Sequence, residues 1–334
     1  MLIIIVLLFF AIFMSQIFGG GGRRLSYLLV GDTGMPVHHP QLKKWNGRGK
    51  VDLFFFHTTG GRLDKSFYDT PCRGMNMLTP ASTAVVDDKA TLGRLLAGQS
   101  FMPQNVEYSR GDDLAQALAR FGGKVIFKPS ALGYFSGRGV RVFDATNISE
   151  IKAYLANERA AKFTIQEYLT DVMLFRGKKF HFRCFFWVDM YGAHATWNEG
   201  EILTAKKKYD PEAINDPEIF ISRGPFTGAN IYISDHPEIT AACTADGETF
   251  EHQLRNITAA VAPLIHGEKF PNCDYAFEVL ALDIIPLASG RCMLSEVNTR
   301  VGFGANIPER NRRRQQKYSQ DFYDWLLPLI RPNL

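Results

Sequence analysis

The sequence predicts an α/β fold, arranged as one large or two to three modest domains. Three observations predict it. Short apolar runs rich in β-branched and aromatic residues end in turn chemistry, capped helical stretches lie between them, and a long β-rich segment runs from Lys179 to Met190. With 334 residues, 46% of them hydrophobic and 22% charged, the chain is long enough for several modest cores. A net charge of +4, from 38 basic and 34 acidic side chains, is too mild to imply nucleic-acid binding. The five cysteines are scattered and never form C-x-x-C, so the spacing suggests reduced, mostly buried thiols rather than a zinc site or a disulfide framework.

Residues 1–24 stand apart from the fold. Leu2 to Met14 is an unbroken apolar run, extended weakly to Phe18 and followed by Gly19 to Gly22, Arg23 and Arg24. A full bilayer span needs about 20 apolar residues, so the run lies between a signal-peptide core and a short anchor. Arginines just after it favour a membrane anchor with the following domain in the cytosol, the alternative being a cleaved signal and a secretory lumen.

Residues 25–100 are expected to form the small α/β domain and residues 101–334 the larger one. Leu25 to Val30 and Val51 to Phe56 read as buried strands bounded by turns such as Thr59-Gly60-Gly61. Asp87-Asp88-Lys89 opens a helix with Leu92, Leu95 and Leu96 on one face, closed by Gly98. A second capped helix starts at Asp112-Asp113-Leu114 and stops at Gly122-Gly123, and the strand Val125-Ile126-Phe127 follows. Beyond a glycine-rich loop, Val140 to Phe143 reads as a strand, Ser149 to Ala161 as a helix, and Phe163 to Leu169 as a short apolar segment. In Lys179 to Met190, Phe180, Phe182, Cys184 and Phe186 point one way and His181, Arg183, Phe185 and Trp187 the other, with a hairpin turn at Tyr191-Gly192. A helix from Glu248 to Ile265 leads into strands Tyr275 to Ile285 and Cys292 to Val297. The chain finishes with a basic helix from Pro308 and a separate amphipathic one over Phe322 to Ile330.

Three groups of residues carry chemistry. Asp283 interrupts the apolar strand Val279 to Ile285, where an unpaired carboxylate costs several kcal/mol. Glu296 and Asn298 project from one face of the next strand, so antiparallel pairing brings three oxygen-bearing side chains together, a donor set that suits Mg²⁺. A salt bridge from Asp283 to an arginine such as Arg300 accounts for the same pattern. Lys128 ends a strand, and Gly133, Gly137 and Gly139 follow, so backbone N-H groups and a compact cation are available to phosphate; a glycine-rich hairpin is the plainer reading. Neither a Walker A nor a clean G-x-G-x-x-G pattern is present. Arg183 shares a face with His181 and is placed to hold a phosphate or carboxylate, or to edge a solvated sheet. The basic runs Lys206 to Lys208 and Arg310 to Lys317 suit an acidic protein tail or a solvated face equally.

Seven stretches, taken in order, resemble the ATP-grasp superfamily and within it the tubulin tyrosine ligase-like group. They are Asp88-Lys89-x-x-Leu92, Lys128-Pro129-Ser130 with the loop to Gly139-Val140, Ile165 to Leu169, Lys179 to Arg183, Thr204 to Tyr209, Phe277-Glu278 to Asp283, and Glu296-Val297-Asn298, spanning about residues 85 to 305. The resemblance implies two subdomains clamping ATP and Mg²⁺. Lys128, Ser130, Gly137 and Gly139 would meet the phosphates, assisted by Lys89 from the preceding domain. Gln166, Glu167, Tyr168 and Leu169 would form the hinge that reads adenine. Asp283, Glu296 and Asn298 would hold Mg²⁺, with Asp283 and Asn298 also reaching the nucleotide, and Arg183 would steady the transferred phosphoryl group. The activity implied joins a free amino acid to a protein or peptide carboxylate with an acidic tail, tubulin being one candidate. Other ATP-grasp peptide ligases, a phosphotransferase on a small molecule, and a membrane-tethered nucleotide-binding relative share parts of the pattern. The chain departs from the group at His181, where an aspartate is usual, and near Leu203, where an arginine or other polar group is.

Overall fold

A computed structural model describes residues 24–31, 39–44, 46–48, 50–57, 71–75, 80–130, 139–213, 216–222, 231–265, 272–299, 301 and 309–330. The apolar run before Arg23, the loop glycines Gly133 and Gly137, and Arg300 lie outside the described residues. Among the described residues no helix is long and apolar enough to cross a membrane.

Two sheets organise the chain. The larger contains β1 (Leu25–Gly31), β2 (Leu42–Lys44), β3 (Val51–His57), β4 (Cys72–Met75), β9 (Leu174–Phe175), β10 (Lys178–Asp189), β11 (His194–Thr204), β12 (Cys273–Pro286) and β13 (Cys292–Asn298). Its order is β11-β10-β12-β4-β3-β1-β2; β13 pairs with the second half of β12, and β9 pairs with β10. The smaller sheet is antiparallel throughout, in the order β5 (Asn105–Ser109), β8 (Lys162–Glu167), β6 (Lys124–Pro129), β7 (Arg141–Asp144). The strands of residues 25–75, expected as a domain of their own, continue the sheet of the C-terminal half, because β4 pairs in parallel with the start of β12.

The helices cover these sheets. They are α1 (Pro80–Asp87), α2 (Lys89–Leu95), α3 (Leu114–Leu118), α4 (Ile148–Asn157), α5 (Pro217–Phe220), α6 (Pro237–Ala242), α7 (Phe250–Val261) and α8 (Glu309–Ile330). Their starts follow the sequence closely. Asp88 accepts from the amide of Thr91 at 2.7 Å and Asp113 from that of Gln116 at 3.1 Å, each satisfying an orphan donor of the first turn. The two helices expected near the C-terminus are one, α8, because Tyr318, Phe322, Leu326 and Ile330 keep helical spacing through its second half and all bury in one core.

The alternation in β10 sets the layers. Phe180, Phe182, Cys184 and Phe186 bury against α2 and α7 on one face of the large sheet, while Phe185 and Trp187 pack under α8 on the other. Both faces are thus covered, and Asp283 and Arg183 are held where the sheet meets the smaller one. In β6 the same rule leaves Val125 and Phe127 in the core beneath α3 and α4, and turns the half-buried Ile126 and Lys128 to the opposite face. That face looks into the cleft between the sheets.

Candidate active site

Register brings the first acidic pair together. Asp283 pairs with Arg183 across β10 and β12 and with Glu296 across β12 and β13. The guanidinium of Arg183 donates from Nε to Asp283 Oδ1 at 2.9 Å and from Nη2 to Oδ2 at 2.8 Å. Asn298 Nδ2 donates to the same Oδ2 at 3.1 Å. The carboxylate, 4% exposed, is therefore compensated as its burial requires. An arginine pair does form, and its described partner is Arg183.

Two strand irregularities shape this spot. Between Asp283 and Ile284 the β12–β13 register shifts, so Ser295 is the extra residue of a bulge, and both Ser295 and Glu296 are half-buried. A second shift falls between Arg183 and Phe185 in β10–β11, where a Cβ at Gly200 would lie 1.9 Å from the carbonyl oxygen of Arg183. Only glycine allows β11 to approach that closely.

The cleft closes across the two sheets through lysines. Lys128 Nζ donates to Gln166 Oε1 on β8 at 2.7 Å and lies 3.5 Å from Ser295 Oγ on β13. Lys89, at the start of α2, pairs with Glu296 at 3.1 Å. Burial pushes Lys128 down to about 8, against the pull of Glu296. Burial pushes the Glu296 carboxyl up, but Lys89 and then Lys128 outweigh it and hold it at about 2. The site is an array of mostly half-buried charges, in which Lys128 from the small sheet and Lys89 from α2 face Glu296 and the buried Asp283 from the large sheet.

The hinge residues fall at the junction of the sheets. Gln166 is buried and Glu167 exposed, Tyr168 packs edge-on against Phe220, and the amide of Tyr168 donates to Lys124 O at 2.9 Å. Ser130 Oγ is 3.1 Å from Thr164 Oγ1, and Gly139 adopts φ +71° while its carbonyl accepts from Tyr154 at 2.6 Å.

Two further residues belong to the cleft that sequence reasoning did not single out. Lys179 is 5% exposed, donates to Leu169 O at 3.3 Å and sits 4.2 Å from the Tyr168 ring centroid; burial, then Lys128, push its ammonium down to about 7. The alternation that placed His181 and Arg183 on one face includes Lys179, so the signal was present. Ser295 had no such signal, because the bulge reverses its expected face. At His181, Nδ1 lies 2.6 Å from Ser222 Oγ and Nε2 lies 3.5 Å from Asp283 Oδ2. Burial lowers its pKa.

Four residues of the basic runs are matched by carboxylates of the chain. Lys206 pairs with Glu218, and Lys207 with Asp216 at 2.8 Å; Arg314 pairs with Asp235, and Lys317 with Glu199 at 2.8 Å and Asp321 at 2.6 Å.

Among the described residues no group of three or more His, Cys, Asp and Glu side chains is arranged to hold a metal ion. The donor set here is different in kind, two carboxylates and one amide on neighbouring strands, all offering oxygen. Hard cations such as Mg²⁺ take oxygen ligands and keep several waters or phosphate oxygens besides, so these three side chains fit such an ion.

Residues 85–231, the stretch that carries Lys89, Lys128, Gln166, Lys179 and Arg183, are similar to the family model of the Tubulin-tyrosine ligase family. No curated protein matches the chain.

Proposed function

We propose that the protein is a carboxylate-amine ligase of the tubulin tyrosine ligase-like type, which adds an amino acid to a carboxylate of a protein or peptide through an acyl phosphate. The observation that carries the reading is the meeting of Lys128, from the four-stranded sheet, with Glu296 and Ser295, from the nine-stranded one. A cleft that interleaves lysine, arginine and carboxylates from two sheets suits a polyphosphate with its metal.

In this reading Asp283, Glu296 and Asn298 hold Mg²⁺, which when bound neutralises phosphate charge at the bond to be broken. Lys128 and Lys89 face the phosphates, with Ser130 and the loop ending at Gly139. Tyr168 and Leu169 border the base, and Lys179 sits beside them. Arg183, held by both oxygens of Asp283, presents its remaining N-H groups to the transferred phosphoryl group. The acceptor carboxylate attacks the γ-phosphorus and becomes an acyl phosphate as ADP departs. The incoming amine then attacks the acyl carbon, expels phosphate and loses a proton to leave the amide. Positioning and charge neutralisation suffice for the first step, so no Ser-His-Asp arrangement is required.

The test is ADP release by the purified protein with Mg²⁺, paired amino acids and acidic peptides, with mass analysis of the products. A peptide heavier by one amino-acid residue supports the ligase. A phosphorylated small molecule in its place would make the protein a phosphotransferase and overturn the amide-forming step.

A further inference from the structure

Cys72 opens β4 and Cys273 opens β12, and the two are register partners where these parallel strands begin to pair. Both are buried, at 0% and 3% exposure. Sγ of Cys72 donates to Sγ of Cys273 across 2.9 Å, and the Cys273 thiol in turn reaches the carbonyl of Tyr275 at 3.1 Å. Neighbouring strands run about 4.8 Å apart, within the Cα separation of about 4.4–6.8 Å that a disulfide spans. Moving the sulfurs together by roughly 1 Å reaches the covalent bond length of about 2.05 Å. No strand rearrangement is required.

We propose that Cys72 and Cys273 are a site of reversible disulfide formation, a staple between the N-terminal parallel strands and the strand that carries Asp283. β4 is the strand through which β1, β2 and β3 join the rest of the sheet, so the bond falls on the junction between two parts of the chain 201 positions apart. Closing so long a loop restrains the unfolded chain strongly. The remaining thiols sit elsewhere: Cys184, Cys243 and Cys292 lie together in the core under α7, with Cys243 donating to Ile239 O at 3.2 Å.

The oxidant is a low-molecular-weight disulfide. The hydrogen bond from Cys72 makes Cys273 the more acidic thiol of the pair, so its thiolate attacks first. One sulfur of the small disulfide bonds to Cys273, and the other leaves as a thiolate that takes up a proton. Cys72 then loses its proton, attacks the Cys273 sulfur and releases the second small thiol. Two electrons pass from the cysteine pair to the reagent, and dithiothreitol returns them.

The experiment equilibrates the full chain in graded mixtures of glutathione and glutathione disulfide, both folded and during refolding from urea. Free thiols are then blocked under denaturing conditions and the digest is read by mass spectrometry. The expected result is a linked peptide pairing Cys72 with Cys273. With it should come a melting temperature several degrees higher, reversed by dithiothreitol and absent from Cys273→Ser. Refolding gives the buried sulfurs access to reagent, so both cysteines remaining alkylated after it would overturn the proposal. A Cys243–Cys292 link in its place, or a melting shift that survives in Cys273→Ser, would overturn it equally. Neither readout depends on nucleotide use, so the result stands apart from that of the ligase assay.

Discussion

Arg183 and Asp283 face each other across two antiparallel strands and share both hydrogen bonds of a fork, at 2.9 and 2.8 Å. The pair lies beside two register shifts, one in each flanking strand pairing, and these direct Ser295, Glu296 and Arg183 into one cleft. Asp283→Ala leaves a partly buried guanidinium without its anion, and should cost about 1–3 kcal/mol in a urea unfolding experiment. Stability within about 0.5 kcal/mol of the parent would mean that the arginine finds water or Glu201 instead.

Glu296→Gln removes a charge while keeping the shape. Lys89 loses its ion-pair partner, and the proposed metal site loses a ligand. ADP release should fall by about 10²–10³-fold with the far-UV spectrum unchanged. Full turnover in this variant would remove Glu296 from the site.

Nucleotide binding should weaken in two stages as pH rises. Burial lowers Lys179 to about 7 and Lys128 to about 8, so each is a cation below that value and neutral above it. Titration of a fluorescent ATP analogue from about pH 6 to about pH 9.5 reads both steps, before bound phosphate stabilises the ammonium forms. Lys179→Met should abolish the lower step and leave the upper one in place. A flat profile would mean that neither lysine meets the nucleotide.

Gly200 allows β11 its approach to Arg183. A methyl group there meets a backbone carbonyl at 1.9 Å, not a flexible side chain, so the strand must move. Gly200→Ala should destabilise by about 1–3 kcal/mol and reduce turnover more than a substitution at exposed Gly247, since the displaced atom belongs to the residue holding Asp283. Equal activity in the two variants would separate the bulge from the site.

Local pattern in the sequence determined the strands, the helix caps and the face each residue of β10 presents. Period-two alternation and a capping aspartate are encoded within a few neighbouring residues. For the same reason Lys128 at a strand end, and Asp283, Glu296 and Asn298 on adjacent strands, were legible without coordinates. Only the tertiary structure decided that β4 pairs with β12, which makes the N-terminal strands part of the C-terminal sheet and sets Cys72 against Cys273. It alone revealed the bulge that turns Ser295 toward Lys128, and it alone showed Arg183 as the partner of Asp283. Pairing between strands roughly 200 residues apart depends on which surfaces bury together, and a bulge breaks the very alternation from which facing is inferred.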